Sequence, residues 1–461
     1  MWKEGGLTSS GLAGRLLSGG LWVLLSKIVA IAAGLAANML LARLMTSKNL
    51  GAYFLVTSVV GVAGMLAKLG MGMGGVRLLS EAVAREEWGN VRAWVRLIFI
   101  TAGFSSVVVC AAMVALWNPL ADGVFGSPLM KSARLAAASW LLAATFLGLC
   151  SQSFRGLHDI RLASVFEGLL RAPMNAAGLL ICWVVLARFE LVDAVLMMAG
   201  VLILQLALAG ALLGRRIYRL PTKGEAKVSR LFDTSLPIFL IGLGTMILSQ
   251  ADLWIVGAHC TEHDVALYGA AVRIVTLVAV PLTLANLVLP PYISSLYTAG
   301  EIDRLQSVLR LAASIAAAPA LAVLTVMIFW AGDVLQLVYG DVYSQAALIL
   351  VLLSLGQAVN VTAGSCGNVL SMTGHQRMGM KIALMAGVVT VGGELLLVRW
   401  AGVAGVAIAS AGGRILQNIL LVAAARRRVG VWSHATANPW YLRRAVSLVR
   451  EQQPSDERSN T

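Results

Sequence analysis

The chain has 461 residues, of which 59% are hydrophobic and 13% are charged, and its mean hydropathy is +0.82. This small number of polar residues cannot cover the surface of a water-soluble globule of this length. The composition therefore predicts an integral membrane protein. The net charge of +14 does not indicate nucleic-acid binding, because the basic residues are spread over the ends of apolar segments.

Apolar stretches long enough to cross a membrane recur along the whole chain. A hydrocarbon core of about 30 Å needs roughly 20 apolar residues in a helix. The stretches are continuous rather than alternating and rich in Ala, Leu and Gly, which predicts helices and not strands. Twelve stretches qualify, in chain order 18–42, 50–72, 94–117, 133–153, 162–187, 191–214, 235–258, 265–290, 308–331, 345–370, 379–398 and 402–425.

Lysine and arginine lie mostly on one side of the predicted membrane. If the N-terminus is cytoplasmic, that side receives Lys3, Arg15, Arg77, Arg85, Arg92, Arg96, Arg155, Arg161, the run from Arg215 to Arg230, Arg304, Arg310, Arg377, Lys381 and the basic C-terminal tail. The opposite side receives only Arg43, Lys48, Lys131, Arg134, Arg188 and Arg399. Because positive charge flanking the spans is retained in the cytoplasm, we predict that both termini are cytoplasmic.

The two halves of the chain share a short sequence motif. Leu50-Gly51-Ala52-Tyr53 and Val265-Ala266-Leu267-Tyr268 lie between comparable apolar spans, and Tyr53 falls on Tyr268 at a shift of 215 positions. Duplicated helix sets are the architecture of many transporters. We therefore predict an all-α membrane protein of about twelve helices, in two parallel six-helix bundles around a central cleft. The predicted parts are a bundle at 1–214, a cytoplasmic linker at 215–231, a bundle at 232–425 and a basic cytoplasmic tail at 426–461.

The cysteines and histidines do not suggest a metal or cofactor. The five cysteines, Cys110, Cys150, Cys182, Cys260 and Cys366, are mostly inside spans and have no CxxC spacing. Of the five histidines only His259 and His263 are near each other. We predict no disulfide framework, no metal site and no cofactor.

Six segments of the chain carry recognisable motifs: Asp252–Gly257, Val265–Tyr268, Ala270–Arg273, Leu289–Ser294, Leu370–Arg377 and Gly402–Ala409. In their order and spacing they resemble the polysaccharide and O-antigen flippases of the multidrug/oligosaccharidyl-lipid/polysaccharide exporter superfamily. The resemblance covers residues 20 to 428 and implies a bacterial inner-membrane protein that moves a polyprenyl-pyrophosphate-linked oligosaccharide to the outer leaflet. It also implies that the first, second, seventh and eighth helices line a central, often cationic, cavity.

Ionisable residues inside the spans are candidate functional residues, because a charge in hydrocarbon costs about 2.5–3.5 kcal/mol on insertion scales. The basic residues in the spans are Lys27, Lys68, Arg171, Arg273 and Arg414, and the acidic residues are Glu167, Asp252 and Glu394. The basic excess suits a cavity that binds a pyrophosphate anion.

Asp252 and Arg273 form the strongest predicted pair. They lie on consecutive spans and within about 3 Å in depth at 1.5 Å per residue. Two interpretations stay open: a static ion pair that locks the helix hairpin, or a gate or proton-linked pair that breaks during transport. Thr245, Asp252 and His259 recur every seven residues and form a polar stripe on one helix face, so His259 is included as a possible gating or coupling residue.

Two further stripes contain lysines. Lys27 and Asn38 are eleven residues apart on the first span, and Thr57 and Lys68 repeat that spacing on the second. The predicted substrate cavity is therefore lined by Lys27, Asn38, Lys68, Asp252 and Arg273. For both lysines the alternative is that the side chain extends to the cytoplasmic interface.

Two other intramembrane arginines are not expected in the cavity. Glu167 and Arg171 are four residues apart on a helix and are expected to satisfy each other. Arg414 is expected to lie on a peripheral helix, because the resemblance places the twelfth helix there.

The predicted function is flipping by alternating access, without covalent chemistry, for O-antigen, exopolysaccharide or another polysaccharide. The expected partners are the lipid-linked substrate, membrane lipids and other polysaccharide assembly proteins, and not nucleic acid. One alternative is a multidrug or cation antiporter of the same superfamily, which the basic excess disfavours. Another is a membrane polymerase or glycosyltransferase, which the short predicted outer loops and the lack of a paired-carboxylate motif disfavour.

Overall fold

A computed structural model of the chain describes residues 9–185, 189–436 and 438, with side chains from Lys27 onward except at positions 241, 248 and 287. Arg188 and the predicted tail beyond Asn438 lie outside these residues. Within them every regular element is a helix. The predicted all-helical membrane fold is confirmed.

The described residues contain ten helices long and apolar enough to cross a membrane, or eleven if one bent pair counts as a span. The predicted number was twelve. The bent pair corresponds to the predicted span 265–290. The remaining difference of one arises in the last helix, Gln376–Val429, which is 54 residues long and covers two of the predicted spans. Gly402 interrupts it with φ 55° and ψ −135°, a conformation open mainly to glycine.

The chain divides by its contacts into two compact units, between Ala266 and Leu267. The helices of the first unit are α1 (Ser9–Leu44), α2 (Ser47–Lys68), α3 (Met71–Ala84), α4 (Trp88–Asn118), α5 (Leu129–Ser132), α6 (Arg134–Gly156), α7 (Ile160–Ser164), α8 (Arg171–Val185), α9 (Leu191–Tyr218) and α10 (Val228–His259), with π-helical turns at Pro119–Val124 and Val165–Leu169. The division falls within α11 (Glu262–Val278).

The first unit is built around α6, which packs against α2, α3, α4 and α9. Its core is apolar, and Leu141 and Phe154 of α6 are fully buried. At one end, Gly51 of α2 meets the start of α11 so closely that a Cβ atom there would lie 1.8 Å from the Glu262 carbonyl oxygen. Gly51, in the first copy of the repeated motif, therefore permits direct backbone packing.

The segment predicted as a linker, 215–231, packs on the turn between α3 and α4. The Arg92 guanidinium donates to the Leu220 carbonyl at 2.9 Å, and the Glu225 amide donates to the Asn90 side chain at 2.8 Å. The Arg230 guanidinium lies 2.8 Å from Glu81. Because α10 packs against α2 and α3 as well, contacts divide the chain after α10 and not at this segment. The two six-helix bundles stay a prediction.

The second unit has its own core where α12, α13, the end of α15, α16 and α17 meet, with Ile293, Leu305, Val369, Leu370 and Ala425 almost fully buried. Its helices are α12 (Val280–Thr298), α13 (Ile302–Phe329), α14 (Ala331–Tyr339), α15 (Ala347–Ala363), α16 (Cys366–Met372) and α17 (Gln376–Val429), with a 3-10 helix at Asp341–Ala346.

The predicted eighth span is bent. The axes of Glu262–Val278 and Val280–Asn286 differ by 51°. Pro281 lies just after this bend and removes the backbone donor that would reach back to residue 277, which explains the change of direction. Pro290 and Pro291 lie inside α12.

Candidate functional site

A cavity of about 280 Å³ lies inside the first unit. Its walls come from α2, from α6 and from the segment that joins α7 to α8. The residues that carry its chemistry are Thr57, Lys68, Trp140, Thr145, Ser151, Glu167 and Arg171. We call it the basic cavity, because Lys68 and Arg171 are both in its lining.

The α2 wall presents Thr57 and Lys68, as their eleven-residue spacing predicts. Lys68 is the last residue of α2, and Leu69 and Gly70 follow it in the left-handed conformation, with φ 44° and 73°. The apolar span nevertheless continues through α3 and is 38 residues long, from Ser47 to Ala84. Lys68 therefore lies at a break within the span, half-buried and in the lining of the cavity. Its role in binding a substrate stays a prediction.

The α6 wall is shaped to leave room for that lysine. A Cβ atom built on Gly148 would lie 3.8 Å from the Lys68 ammonium nitrogen. Farther along the wall, the Trp140 ring stacks on Tyr53 with centroids 6.0 Å apart. The Thr145 hydroxyl is buried and has no hydrogen-bond partner among the described residues, so it is available to a ligand.

The third wall corrects the prediction that Glu167 and Arg171 satisfy each other. A π-helical turn at Val165–Leu169 precedes α8 and inserts one residue into the helical repeat, so the two side chains no longer stack one turn apart. Glu167 instead faces α6, where it pairs with Arg155 at 2.5 Å and accepts from Gln152 at 2.8 Å. Arg171 lines the same cavity but does not pair with that carboxylate.

The basic cavity is therefore lined by two cations that share no ion pair with Glu167, the one carboxylate in its lining, because Glu167 is paired with Arg155. Neither Lys68 nor Arg171 makes an ion pair or a hydrogen bond with any residue that the structure describes. Both groups line the same cavity, where like charges repel each other. Unpaired charges away from water are costly, and an anion bound between them would relieve both the repulsion and the desolvation.

The other predicted cavity residues do not line this cavity. Lys27 is exposed on α1, and the Asn38 amide donates to the Gly34 carbonyl of its own helix at 2.7 Å. Asp252 is half-buried on α10 and accepts from the Leu253 amide at 3.2 Å.

The predicted gating residues Arg273 and His259 each contact a backbone carbonyl of their own helix. Arg273 donates to the Gly269 carbonyl within α11 at 3.0 Å, and a ring nitrogen of His259 lies 3.0 Å from the Ile255 carbonyl oxygen. Asp252 belongs to the first unit and Arg273 to the second. Their pairing stays a prediction.

Arg414, in the second unit, has a different environment. Its guanidinium donates at 3.0 Å to the side-chain oxygen of Gln357 on α15, and Gln357 is almost fully buried. Asn418, one turn farther along α17, donates to the Arg414 carbonyl at 2.9 Å. Arg414 thus supplies a hydrogen-bond donor to the buried side-chain oxygen of Gln357.

Arg171 lines the basic cavity, although it was predicted from the sequence to pair with Glu167. Its charge inside a span was the available signal, but Glu167 four residues earlier offered an adequate explanation for it. Among the described residues, no group of three or more histidine, cysteine, aspartate or glutamate side chains could hold a metal ion.

Comparison with known proteins agrees with this architecture. A profile of polysaccharide biosynthesis proteins matches residues 16–297, and a MatE profile matches residues 237–393. None of the curated proteins compared with the chain matches its sequence.

Several solved structures are similar in fold. The inward-facing conformation of a multidrug resistance MATE family transporter of the MOP superfamily has a TM-score of 0.74 at 17% identity, over 86% of this chain and 94% of that one. The lipid II flippase MurJ, in an inward closed conformation, has a TM-score of 0.68 at 14% identity, over 93% of this chain and 91% of that one. A MOP superfamily transporter from Pyrococcus furiosus has a TM-score of 0.61 at 16% identity, over 90% and 95%.

The helices and these similarities define a multi-pass membrane protein with the fold of MOP-superfamily transporters. Because the profile match covers more than half of its residues, the chain belongs to the polysaccharide biosynthesis protein family. The family predicted from the sequence motifs is confirmed.

Proposed function

We propose that the protein flips a polyprenyl-pyrophosphate-linked oligosaccharide across the inner membrane for polysaccharide biosynthesis. The observation that carries the proposal is the basic cavity, in which Lys68 and Arg171 lie inside the first unit without a carboxylate partner. A pyrophosphate supplies the missing negative charge, and its oxygens match the planar guanidinium fork of Arg171.

The rest of the cavity suits a sugar attached to that anion. Thr57, Thr145 and Ser151 offer hydroxyl groups along its walls, and the Trp140 indole offers an aromatic surface. Neutral hydroxyls and an aromatic ring can hold a saccharide without binding it too tightly to leave. Alternating access then requires only that the substrate has different affinities for the two conformations.

The orientation of the chain in the membrane is inferred from the charge distribution. Excess lysine and arginine on one side indicates that both termini are cytoplasmic. The lipid-linked oligosaccharide enters from the cytoplasmic leaflet and leaves to the outer leaflet, while its polyprenyl chain stays in the lipid. Membrane potential or an ion gradient is a suitable driving force for an anionic headgroup.

A cation or drug antiporter is the second candidate, since the MatE profile matches residues 237–393 and a similar structure is a multidrug resistance transporter. The two unpaired cations of the basic cavity oppose it, because they repel cationic drugs.

The test is leaflet exchange of a labelled polyprenyl-pyrophosphate oligosaccharide in proteoliposomes. Lys68→Gln is compared with Lys48→Gln, an exposed lysine in the first turn of the same helix. We expect Lys68→Gln to slow exchange by roughly tenfold, the loss of one charged contact, and Lys48→Gln to leave it unchanged.

A second substrate makes the test specific for the anion. The same oligosaccharide on a neutral polyprenyl ether should exchange slowly with wild-type protein and should not respond to Lys68→Gln. Equal exchange of both lipids would contradict the proposal. Uptake of a cationic drug coupled to an ion gradient, with no exchange of either lipid, would establish the antiporter instead.

A further inference from the structure

A second concave site lies in the second unit, separate from the basic cavity. It is a groove of about 550 Å³ where α15 and α17 end. Its walls are apolar, with Val359 on α15 and Ile419 and Val422 on α17, and its rim carries Arg426 and Arg427. Ile419 is 57% exposed, so the groove opens on a surface that faces hydrocarbon when the helices are in a membrane.

The floor of the groove is a short strap, residues 431–436. It begins after Gly430, which ends α17 in the left-handed conformation with φ 84°. The strap then runs along α13 between Gln306 and Ser314 and over the end of α15. Its hydrogen bonds are Trp432 amide to Gln306 at 2.9 Å, Ser433 hydroxyl to Ala363 carbonyl at 3.0 Å, Ala435 amide to Thr362 carbonyl at 2.8 Å, and Thr436 amide to Ser314 hydroxyl at 2.8 Å.

This strap positions an aromatic ring beside the basic rim. The Arg426 guanidinium lies 5.3 Å from the centre of the Trp432 ring and donates to the Gly430 carbonyl at 2.5 Å. Arg427 and Arg428 follow, and none of the three arginines makes an ion pair with a described residue. An arginine cluster, an indole and an apolar wall meet at the end of a membrane helix, as at a headgroup boundary.

We propose that this groove binds one anionic phospholipid, with its phosphate at Arg426 and Arg427 and an acyl chain along Ile419 and Val422. The positive charge of Arg426 and Arg427 at the rim favours an anionic ligand in the groove. The chain's own C-terminal residues bring Arg443, Arg444 and Arg450 before their first carboxylate, Glu451, so they would repel it. A second copy related by a twofold axis would face these arginines with the same arginines.

The experiment titrates delipidated full-length protein with phosphatidylglycerol or phosphatidylcholine and counts bound lipids by native mass spectrometry. It reads binding rather than transport, so it does not depend on the proposed function. Wild-type protein should bind one phosphatidylglycerol in preference to phosphatidylcholine. Arg427→Gln should weaken phosphatidylglycerol binding by about fivefold, the effect of one basic residue near a membrane surface.

Arg428→Gln is the matched control, because Arg428 is the neighbouring exposed arginine and is not among the residues that line the groove. It should change binding by less than about twofold if long-range charge alone acts there. Ala423→Phe fills the groove without changing charge and should abolish the binding of the first phosphatidylglycerol.

Four results would overturn the proposal. One is an equal effect of Arg427→Gln and Arg428→Gln, which would mean general surface charge. Another is equal retention of phosphatidylcholine. A third is displacement of the lipid by inorganic phosphate at millimolar concentration, which would make this a free-phosphate site. The last is a change in the monomer-to-dimer ratio with unchanged lipid binding, which would assign the groove to a second copy.

Discussion

An intramembrane arginine has opposite surroundings in the two units. In the first unit, Arg171 lines a cavity with Lys68 and Glu167, and Glu167 pairs with Arg155 instead of Arg171. In the second unit, Arg414 donates to the buried amide oxygen of Gln357. The same side chain is thus a potential ligand group in one unit and a structural donor in the other, and its neighbours decide which.

The difference can be traced to backbone irregularity. Both cations of the basic cavity follow or precede a departure from α-helix: Lys68 precedes the left-handed pair Leu69-Gly70, and Arg171 follows the π-helical turn Val165–Leu169. Arg414 lies in a regular part of α17. Helix irregularities at functional sites change the direction in which side chains point.

The largest expected effect is on transport by Arg171→Gln. Loss of a charged hydrogen bond costs about 1.5–3 kcal/mol, so leaflet exchange of the pyrophosphate-linked oligosaccharide should slow by roughly ten- to hundredfold. The temperature of thermal unfolding should not fall, because Arg171 makes no ion pair or hydrogen bond with a described residue that the substitution would remove. The matched control is Arg161→Gln, an exposed arginine on α7, which should keep exchange within about twofold. Equal loss in both variants would remove Arg171 from the site.

Arg414→Leu should show the reverse pattern. It leaves the buried Gln357 oxygen without its donor, which costs about 1–3 kcal/mol of stability. Exchange per folded molecule should stay the same. The measurement is thermal unfolding in detergent, compared with the double variant Arg414→Leu/Gln357→Leu, in which both partners become apolar and most of the stability returns. A large loss of exchange with unchanged stability would show that Arg414 also binds substrate.

Gly148→Leu tests the space beside Lys68 without altering any charge. The added side chain points at the lysine ammonium, since a Cβ atom alone would be 3.8 Å from it. We expect exchange to slow by about fivefold, corresponding to about 1 kcal/mol of overpacking. Gly412→Leu is the control in the second unit, where no atom lies within 4 Å of the added Cβ. If both variants exchange normally, Lys68 does not face the substrate.

The smallest effect is expected from Glu167→Gln. The Arg155–Glu167 pair is partly exposed, so its loss should change the unfolding free energy by less than about 1 kcal/mol. Exchange should not decrease, since the removed charge is negative and an anion is the proposed ligand. A decrease as large as that of Arg171→Gln would instead indicate that Glu167 holds Arg171 in place during transport.

Much of the architecture could be predicted from the sequence. The twelve predicted spans fall on helices wherever the structure describes them, because the length of an apolar run and the need to satisfy every backbone group in lipid are both local properties. The spacing of Thr57 and Lys68 predicted correctly that they line the same surface, since a regular helix fixes that angle. The family followed from the order of motifs along the whole chain.

The sequence by itself determined a helical membrane protein of this family, with more basic than acidic charge in its spans. Only the tertiary structure decided which charges meet. The π-helical turn before Arg171 and the close approach of α6 turned Glu167 toward Arg155, and neither is encoded in a short pattern. The physical reason is that periodicity fixes directions within one regular helix, while a charge is satisfied by whichever neighbouring helix packs against it.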